Sequence, residues 1–185
     1  MKTRTVVALV GLPLSGKTTL GKALGEAIGV HYVDIDQGPA VCAPPQESEP
    51  NRSEEALARE RARMEVCYDV MLATVEANLR WGFSVIVSAT FSNVANQERL
   101  KAIVEEGGGI LKMIWCQFDD TAEEIERRIQ ERRSRGLGGG VRSAAHYQEV
   151  KGRFAGVQLP HLSVRVEGGQ EGLHKALESA LSYIG

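Results

Sequence analysis

The sequence has few cysteines, few aromatic residues, almost no net charge and no long hydrophobic run. Its three cysteines lie far apart and form no CxxC pair, which argues against a disulfide framework or a zinc knuckle and is typical of a reducing compartment. A formal net charge of -2 provides no overall field that would attract a polyanion. No stretch approaches the roughly 18 uncharged apolar residues of a membrane span, and the N-terminus lacks the cleavage site of a signal peptide. We therefore expect a cytoplasmic protein without membrane association.

Short apolar segments alternate with amphipathic segments along the chain. The first apolar run, Thr5–Val10, is rich in β-branched residues, as expected for a strand that is buried on both faces of a sheet. Four further strands are predicted at 30–35, 83–87, 110–118 and 162–166, with helical periodicity between them. This alternation predicts an α/β fold of three αβα layers, in which helices cover both faces of a five-stranded parallel sheet.

A length of 185 residues predicts a single domain, 1–185. Two segments are expected to be attachments to its core. The first, 37–80, begins with a proline-rich loop and continues as a long helix, whereas the second, 127–154, is rich in arginine and glycine. The two tryptophans, Trp81 and Trp115, stand at the edges of predicted strands and are expected to be core residues.

Residues 11–18 read Gly-Leu-Pro-Leu-Ser-Gly-Lys-Thr and match the pattern G-x-x-x-x-G-K-[ST]. Glycines in such a loop let backbone N–H groups curve around phosphate oxygens without a Cβ in the way. The helix that follows directs its positive dipole end at the same anion. Lys17 is placed to reach the β- and γ-phosphates, and the hydroxyl of Thr18 to bind Mg²⁺. The motif therefore predicts a site for a nucleoside triphosphate.

Two carboxylates follow the second predicted strand, in the order Asp34, Ile35, Asp36. If the strand alternation continues, both carboxylates lie on one side of the sheet and Ile35 on the other. The C-terminal edge of an open α/β sheet is where ligands bind. One carboxylate there is expected to hold Mg²⁺, directly or through water, and the other to accept the proton of an acceptor hydroxyl. The alternative is a solvated strand end.

The arginines between 127 and 135 predict a phosphate-binding lid. Arg128 and Arg132 are four residues apart and share one helix face, with Arg135 near it. Guanidinium groups over a γ-phosphoryl group stabilise the charge on its oxygens, and the neighbouring glycines allow such a segment to close. Glutamates in the same segment leave a second interpretation open, in which the arginines form surface ion pairs.

With these motifs in this order, the chain resembles the P-loop small-molecule kinases. The nearest likeness is to an AAA-domain group of predicted kinases, itself similar to gluconate, adenylylsulfate and polynucleotide 5′-hydroxyl kinases and to zeta toxins. Besides the loop, the carboxylate pair and the pair Arg128 and Arg132, the resemblance rests on Tyr68, on the segment 82–91 and on Arg99.

The resemblance implies a sheet of order 2-3-1-4-5, ATP and Mg²⁺ as donor and cofactor, an acceptor pocket over 37–80, and a lid. It implies that Asp36, with Asp34 as the alternative, is the base or the metal partner. The implied ATP-binding residues are Gly11, Leu14, Ser15, Gly16, Lys17, Thr18 and Thr19; the implied metal ligands are Thr18 and Asp36; and the implied catalytic residues are Lys17, Asp34, Asp36, Arg128 and Arg132.

The sequence departs from the family pattern at two places. Many members end the third strand with an aspartate, where this chain has Ser88. If that aspartate helps to hold Mg²⁺ through water, the task must fall here on Thr18 and on the two aspartates after strand two. Many members also carry an arginine shortly after the base, whereas residues 37–40 read Gln-Gly-Pro-Ala. This second departure leaves the identity of the acceptor open.

The sequence thus favours transfer of the γ-phosphoryl group of ATP to a hydroxyl of a small metabolite. A nucleotide or polynucleotide 5′-hydroxyl kinase is the second hypothesis, although nucleic acid is disfavoured as a partner because only 5% of residues are aromatic and able to stack on bases. A regulatory ATP-binding module without transfer is the third. A switch GTPase is disfavoured because the NKxD pattern is absent. The sequence does not indicate an oligomeric state.

Overall fold

The strand that precedes the P-loop motif lies in the middle of a five-stranded parallel sheet of order β2-β3-β1-β4-β5. The structure is a computed structural model that describes residues 4–37, 53–136, 141 and 143–185. The predicted fold class and strand order are confirmed. The strands are β1 Thr5–Val10, β2 His31–Asp34, β3 Val85–Ala89, β4 Ile110–Gln117 and β5 His161–Arg165.

Helices cover both faces of this sheet, as the alternating pattern predicts. Ser53 caps the longest helix, since its Oγ accepts a hydrogen bond from the Ala56 N–H at 3.2 Å. The helices are α1 Lys17–Ile28, α2 Glu54–Arg80, α3 Val94–Glu106, α4 Ala122–Ser134, α5 Ala144–Gly152 and α6 Gly169–Ile184, with a short 3-10 helix at Ile35–Gln37. The proline-rich part of the predicted insert, 38–52, and residues 137–140 of the predicted lid lie outside the described residues.

Two apolar cores form because the central strands are buried on both faces. On one face, Val6 and Ala8 of β1 pack with the buried stripe of α2. On the other face, Val7 and Leu9 pack with α1 and α6, where Leu20 contributes to the core. This double burial explains why the strand sequences read as nearly continuous apolar runs. In the part of the chain that the structure describes, no helix is long and apolar enough to cross a membrane.

The structure corrects two expectations about local placement. Trp81, expected in the core, is 77% exposed after the end of α2, while Trp115 is half-buried and packs on Phe154 and His161. The strand alternation predicted through Asp36 stops at Asp34, where the 3-10 helix begins. Asp34 is consequently buried and Asp36 exposed.

Gln97 on α3 is fully buried and joins two loops at the C-terminal edge of the sheet. Its Nε2 donates to the carbonyl oxygens of Phe91 and Gly156 at 3.1 and 2.8 Å, and its Oε1 accepts from the Gln158 N–H at 3.0 Å. The first loop is also held by Tyr68 on α2, whose hydroxyl accepts from the Phe91 N–H at 2.9 Å. These bonds hold Phe91 in a left-handed conformation, with φ of 49°.

Replacing Gln97 by alanine should destabilise the fold, because it leaves three backbone groups without their partner. Each buried polar group left unpaired costs about 1–3 kcal/mol, so three such groups predict a loss of at least about 3 kcal/mol in the free energy of unfolding, measured by denaturant titration. The control is Gln158→Ala, which keeps the backbone N–H and removes an exposed side chain, for a change within about 0.5 kcal/mol. Equal losses in the two variants would contradict the assignment.

Candidate active site

Two positions of the P-loop must be glycine, because the backbone has a positive φ there and because neighbouring atoms leave no room for a Cβ. Gly11 and Gly16 have φ of 147° and 83°, in a region that side chains rarely allow. A Cβ on Gly11 would lie 2.3 Å from the carbonyl oxygen of Cys116, and one on Gly16 would lie 2.5 Å from Cγ1 of Val166. The loop is thus packed against the ends of β4 and β5. Leu14, which is not a glycine, also has a positive φ, of 69°.

The ammonium group of Lys17 bonds to its own loop. Its Nζ donates to the carbonyl oxygens of Gly11 and Leu12 at 2.8 and 2.7 Å. Burial lowers the pKa of Lys17, while the carboxylates of Asp36 and Asp34 oppose that shift. The lysine therefore lies at the base of a cleft in which both aspartates influence its charge.

The buried carboxylate of Asp34 links β2 to the first turn of α1. Its Oδ2 accepts hydrogen bonds from the hydroxyls of Thr18 and Tyr32 at 2.8 and 2.9 Å, and its Oδ1 accepts from the Asp36 N–H at 3.1 Å. The Tyr32 hydroxyl also lies 2.7 Å from Oγ of Ser88, the residue that stands where many family members have an aspartate. Asp34 thereby accepts three hydrogen bonds, which offset the cost of burying its carboxylate.

Sequence reasoning missed Tyr32, although its spacing offered a signal. Tyr32 precedes Asp34 by two residues and so shares its face of β2. The tyrosine ring fits because α1 carries a glycine opposite it, and a Cβ on Gly21 would lie 2.3 Å from Cε2 of Tyr32. Burial is the main cause that raises the pKa of Tyr32, followed by the charge of Asp34. The phenol therefore stays protonated and acts as a donor to Asp34.

Asp36 opens into the same cleft from the 3-10 helix. Although the Asp36 side chain is exposed towards the cleft, desolvation by the surrounding cleft walls and the neighbouring Asp34 carboxylate raise its pKa, whereas the positive charges of Lys17, Arg132 and Arg63 lower it. The net shift is upward, so the carboxyl of Asp36 has a higher proton affinity than an ordinary aspartate. Of the three cations, sequence reasoning had not considered Arg63, which lies on α2.

Arg128 and Arg132 share a face of α4 but have different surroundings. The guanidinium of Arg128, 13% exposed, pairs with Glu124 at 2.6 Å and donates to the carbonyl oxygens of Leu14 and Val166 at 2.8 and 3.1 Å. It also lies 4.5 Å from the ring centroid of Phe118. Arg132 makes no ion pair with any described residue, and its charge acts on Lys17 and Asp36. Arg128 therefore braces the P-loop, and Arg132 faces the cleft.

The second part of the predicted lid, α5, is anchored to the end of β4. Tyr147 is fully buried, and its hydroxyl donates to Oδ2 of Asp120 at 3.0 Å. Lys151 pairs with the same oxygen at 2.6 Å. Although desolvation opposes the shift, the bonds from Lys151 and Tyr147 lower the pKa of Asp120. This end of the predicted lid is held by a buried tyrosine and an ion pair.

One cleft of about 1320 Å³ is lined by Lys17, Asp34, Asp36, Arg128 and Arg132. Single-ligand pockets usually measure about 300–1,000 Å³, so this cleft has room for a nucleotide and a small second molecule. Its walls are the P-loop, α4 and the segment after β5 on one side, and α2 with the loop after β3 on the other. Tyr68 lies in the second wall, whereas the guanidinium of Arg99 pairs with Asp69 at 2.5 Å and with Glu65 at 3.7 Å.

The donor atoms at the P-loop end fit Mg²⁺. Thr18, Asp34 and Asp36 present a hydroxyl and carboxylates, and Mg²⁺ in nucleotide sites is usually held by one or two carboxylates, waters and phosphate oxygens. Among residues 4–37, 53–136, 141 and 143–185, no group of three or more His, Cys, Asp or Glu side chains is arranged for a metal ion. The site thus fits a cation that shares its coordination with a phosphate.

Several solved proteins share this fold. A protein from Chloroflexus aurantiacus J-10-fl, provisionally named a kinase, is 19% identical with a TM-score of 0.73, and the match covers 100% of both chains. A gluconokinase from Sinorhizobium meliloti 1021 is 15% identical with a TM-score of 0.62, covering 100% of this chain and 93% of the other. An APS kinase from Mycobacterium tuberculosis, solved in complex with AMPPNP and APS, is 16% identical with a TM-score of 0.57 and 98% coverage of each chain. At these identities the likeness establishes the fold.

No curated protein sequence matches this chain. The AAA_33 family, described as an AAA domain, matches residues 6–157, which include the P-loop, both aspartates and the arginines of α4. The chain therefore belongs to the AAA_33 family and has the fold of the P-loop kinases.

Proposed function

We propose that the protein is an ATP-dependent phosphotransferase that moves the γ-phosphoryl group to a hydroxyl of a small metabolite. The observation that carries this proposal is the meeting of Asp36, Lys17 and Arg132 in one cleft above the P-loop, close enough for each cation to act on the carboxylate. A proton acceptor beside two cations suits phosphoryl transfer, which relies on positioning and on stabilisation of the phosphoryl charge. The kinases of the same fold support the proposal.

The P-loop is the proposed triphosphate site. Its backbone N–H groups and the start of α1 favour an anion, and Lys17 would exchange its bonds to the Gly11 and Leu12 carbonyl oxygens for the β- and γ-phosphates. The complex of the APS kinase with AMPPNP supports ATP as the donor. We assign nucleotide contacts to Gly11, Leu14, Ser15, Gly16, Lys17, Thr18 and Thr19.

Thr18 is the proposed direct protein ligand of Mg²⁺, with Asp34 holding the Thr18 hydroxyl in position. Asp36 would hold the cation through water, which leaves its carboxylate free to accept a proton. When bound, the cation neutralises charge on the β- and γ-phosphates. Asp34 already accepts three hydrogen bonds, whereas Asp36 is exposed to the cleft. This difference favours Asp34 as the positioning group and Asp36 as the group that meets the substrates.

Asp36 is the proposed base. In the transfer step, the acceptor oxygen forms a bond to the γ-phosphorus as the bond from that phosphorus to the bridging β–γ oxygen breaks, and ADP leaves. The acceptor proton passes to the carboxylate of Asp36, whose raised pKa suits it to take a proton from a hydroxyl group that is losing electrons to phosphorus. The proton is then released to water.

The two α4 arginines have separate proposed roles. Arg132 would stabilise the negative charge on the transferred group, because its guanidinium faces Lys17 and Asp36 without an acidic partner in the described chain. Arg128 would act through the P-loop, since its donors are engaged by Glu124 and by the Leu14 and Val166 carbonyl oxygens. In this role Arg128 is a positioning residue.

Substitution of Lys17 or Asp36 should abolish transfer without unfolding the protein. With Mg²⁺, ATP and pools of hydroxylated metabolites, we expect ADP release that depends on one pool component and falls by about 10²–10⁴-fold in Asp36→Asn, the usual contribution of a general base. Lys17→Ala should lose at least about 10²-fold, since it removes a phosphate contact. Asp119→Asn, at an exposed aspartate outside the cleft lining, is the control.

Other outcomes of this assay point to the other hypotheses. Binding of AMPPNP without turnover in any pool would favour a regulatory module. Turnover confined to a pool of oligonucleotides, with a steep loss on added salt, would favour a polynucleotide kinase. Wild-type turnover in Asp36→Asn would refute the base assignment.

Asp36→Asn should also stabilise the folded protein at neutral pH. The folded state raises the pKa of Asp36, so between the unfolded and folded pKa values the folded state binds more protons than the unfolded state. The free energy of unfolding of the wild type therefore falls as pH rises through that window and stays lower above it. Asparagine does not ionise, so the variant does not lose this stability. We expect a higher Tm for Asp36→Asn than for wild type at about pH 7, converging at about pH 3, in scans without Mg²⁺ or nucleotide. A difference that is constant with pH, or absent, would contradict the shift.

A further inference from the structure

The first half of α2 carries three arginines, Arg59, Arg61 and Arg63, which differ in exposure and in whether they line the cleft. Arg59 is exposed and does not line the cleft. Arg61 lines the cleft but is exposed, and Arg63 lines it and is half-buried. Only the last of these is both partly removed from water and directed to the space where a second substrate would lie.

One hydrogen-bond donor of Arg63, the Nε, is buried without a hydrogen-bond partner among the residues that the structure describes. Within the described ranges its guanidinium also makes no ion pair, whereas Arg99 pairs with Asp69 and Glu65 and Arg128 pairs with Glu124. Buried donors in folded proteins are almost always satisfied, because leaving one unpaired is costly. An unpaired, partly buried guanidinium in a cleft therefore indicates a ligand that completes it.

The position of Arg63 separates it from the phosphate end of the cleft. Arg132 and Arg63 both lower the pKa of Asp36, and Arg132 also lowers the pKa of Lys17 in the P-loop. Arg132 thus belongs to the P-loop end. Arg63 stands on the opposite wall, next to Met64 and five residues before Tyr68 on α2, and both of these neighbours also line the cleft.

From this geometry we infer that the acceptor carries an oxyanion group, a carboxylate or a phosphate, which binds to Arg63 and places the acceptor hydroxyl at Asp36. This inference rests on the proposed function for the identity of the second substrate. A guanidinium binds carboxylates and phosphates through two parallel N–H···O bonds, which orient the ligand as well as hold it. A small hydroxy acid or phosphorylated alcohol then spans the space between Arg63 and Asp36.

The first test measures anion binding without turnover. Sulfate is titrated at constant ionic strength in the presence of saturating Mg²⁺ and AMPPNP, which fill the nucleotide site, and affinity is obtained from the shift of Tm. Loss of a charge-assisted hydrogen-bonding partner should weaken sulfate binding by about 10- to 100-fold in Arg63→Met. Arg59→Met, which removes the same charge from the same helix outside the cleft, should keep wild-type affinity.

The second test uses three acceptors with one carbon skeleton: glycerol, glycerate and glycerol 3-phosphate. Wild type should release ADP with a higher kcat/KM on one or both anionic compounds than on glycerol, and the better of the two identifies the oxyanion. Arg63→Met should remove this preference mainly through KM, and Arg59→Met should retain it. Arg63→Lys should restore part of it, because lysine keeps the charge without the fork of donors.

Equal sulfate affinity in wild type and Arg63→Met, or no preference of wild type for either anion over glycerol, would overturn the inference. Failure of the proposed function is distinguishable, since it appears as absence of AMPPNP binding or of ADP release with every pool. The sulfate titration is read independently of AMPPNP binding and of ADP release, so it tests the role of Arg63 separately.

Discussion

The carboxylate of Asp34 joins the end of β2 to the start of α1, and the shape of the cleft depends on that junction. A carboxylate at this depth requires donors, and it takes them from Thr18, from Tyr32 and from the Asp36 backbone. The same bonds therefore fix the threonine of the P-loop and the first residues after β2. Oγ of Ser88 contacts the Tyr32 hydroxyl, so the end of β3 is connected to Asp34 through Tyr32.

A second organising feature is the division between paired and unpaired arginines. Arg128 and Arg99 bond to acidic side chains or carbonyl oxygens and connect elements of the scaffold: α4 to the P-loop, and α3 to α2. Arg132 and Arg63 have no such partners among the described residues and direct their charge at the space around Asp36. A positive charge that the scaffold leaves uncompensated is available to a negatively charged ligand. The same property, an arginine without an acidic partner among the described residues, thus marks both the proposed donor site and the proposed acceptor site.

The fold and the P-loop end of the cleft were largely predictable from the sequence. Double burial of the central strands produces apolar runs that any reading of periodicity detects, and the parallel order follows from strands alternating with helices. The acceptor side was far less predictable. Arg63 is one of several arginines in a polar helix, and nothing in its sequence neighbourhood distinguishes it from Arg59 or Arg61. Burial alone separates them, and burial depends on what packs against the helix.

The sequence by itself determined the strand and helix pattern, the phosphate-binding loop and the presence of two carboxylates after β2, because each is set by neighbours a few residues apart. Tertiary structure decided the rest. It ended β2 at Asp34, so that one aspartate is buried and the other faces the cleft. It also assigned Arg128 and Arg132 different surroundings on one helix face, and it left the Nε of Arg63 without a partner among the described residues. These outcomes depend on residues distant in the chain, whose approach no local pattern encodes.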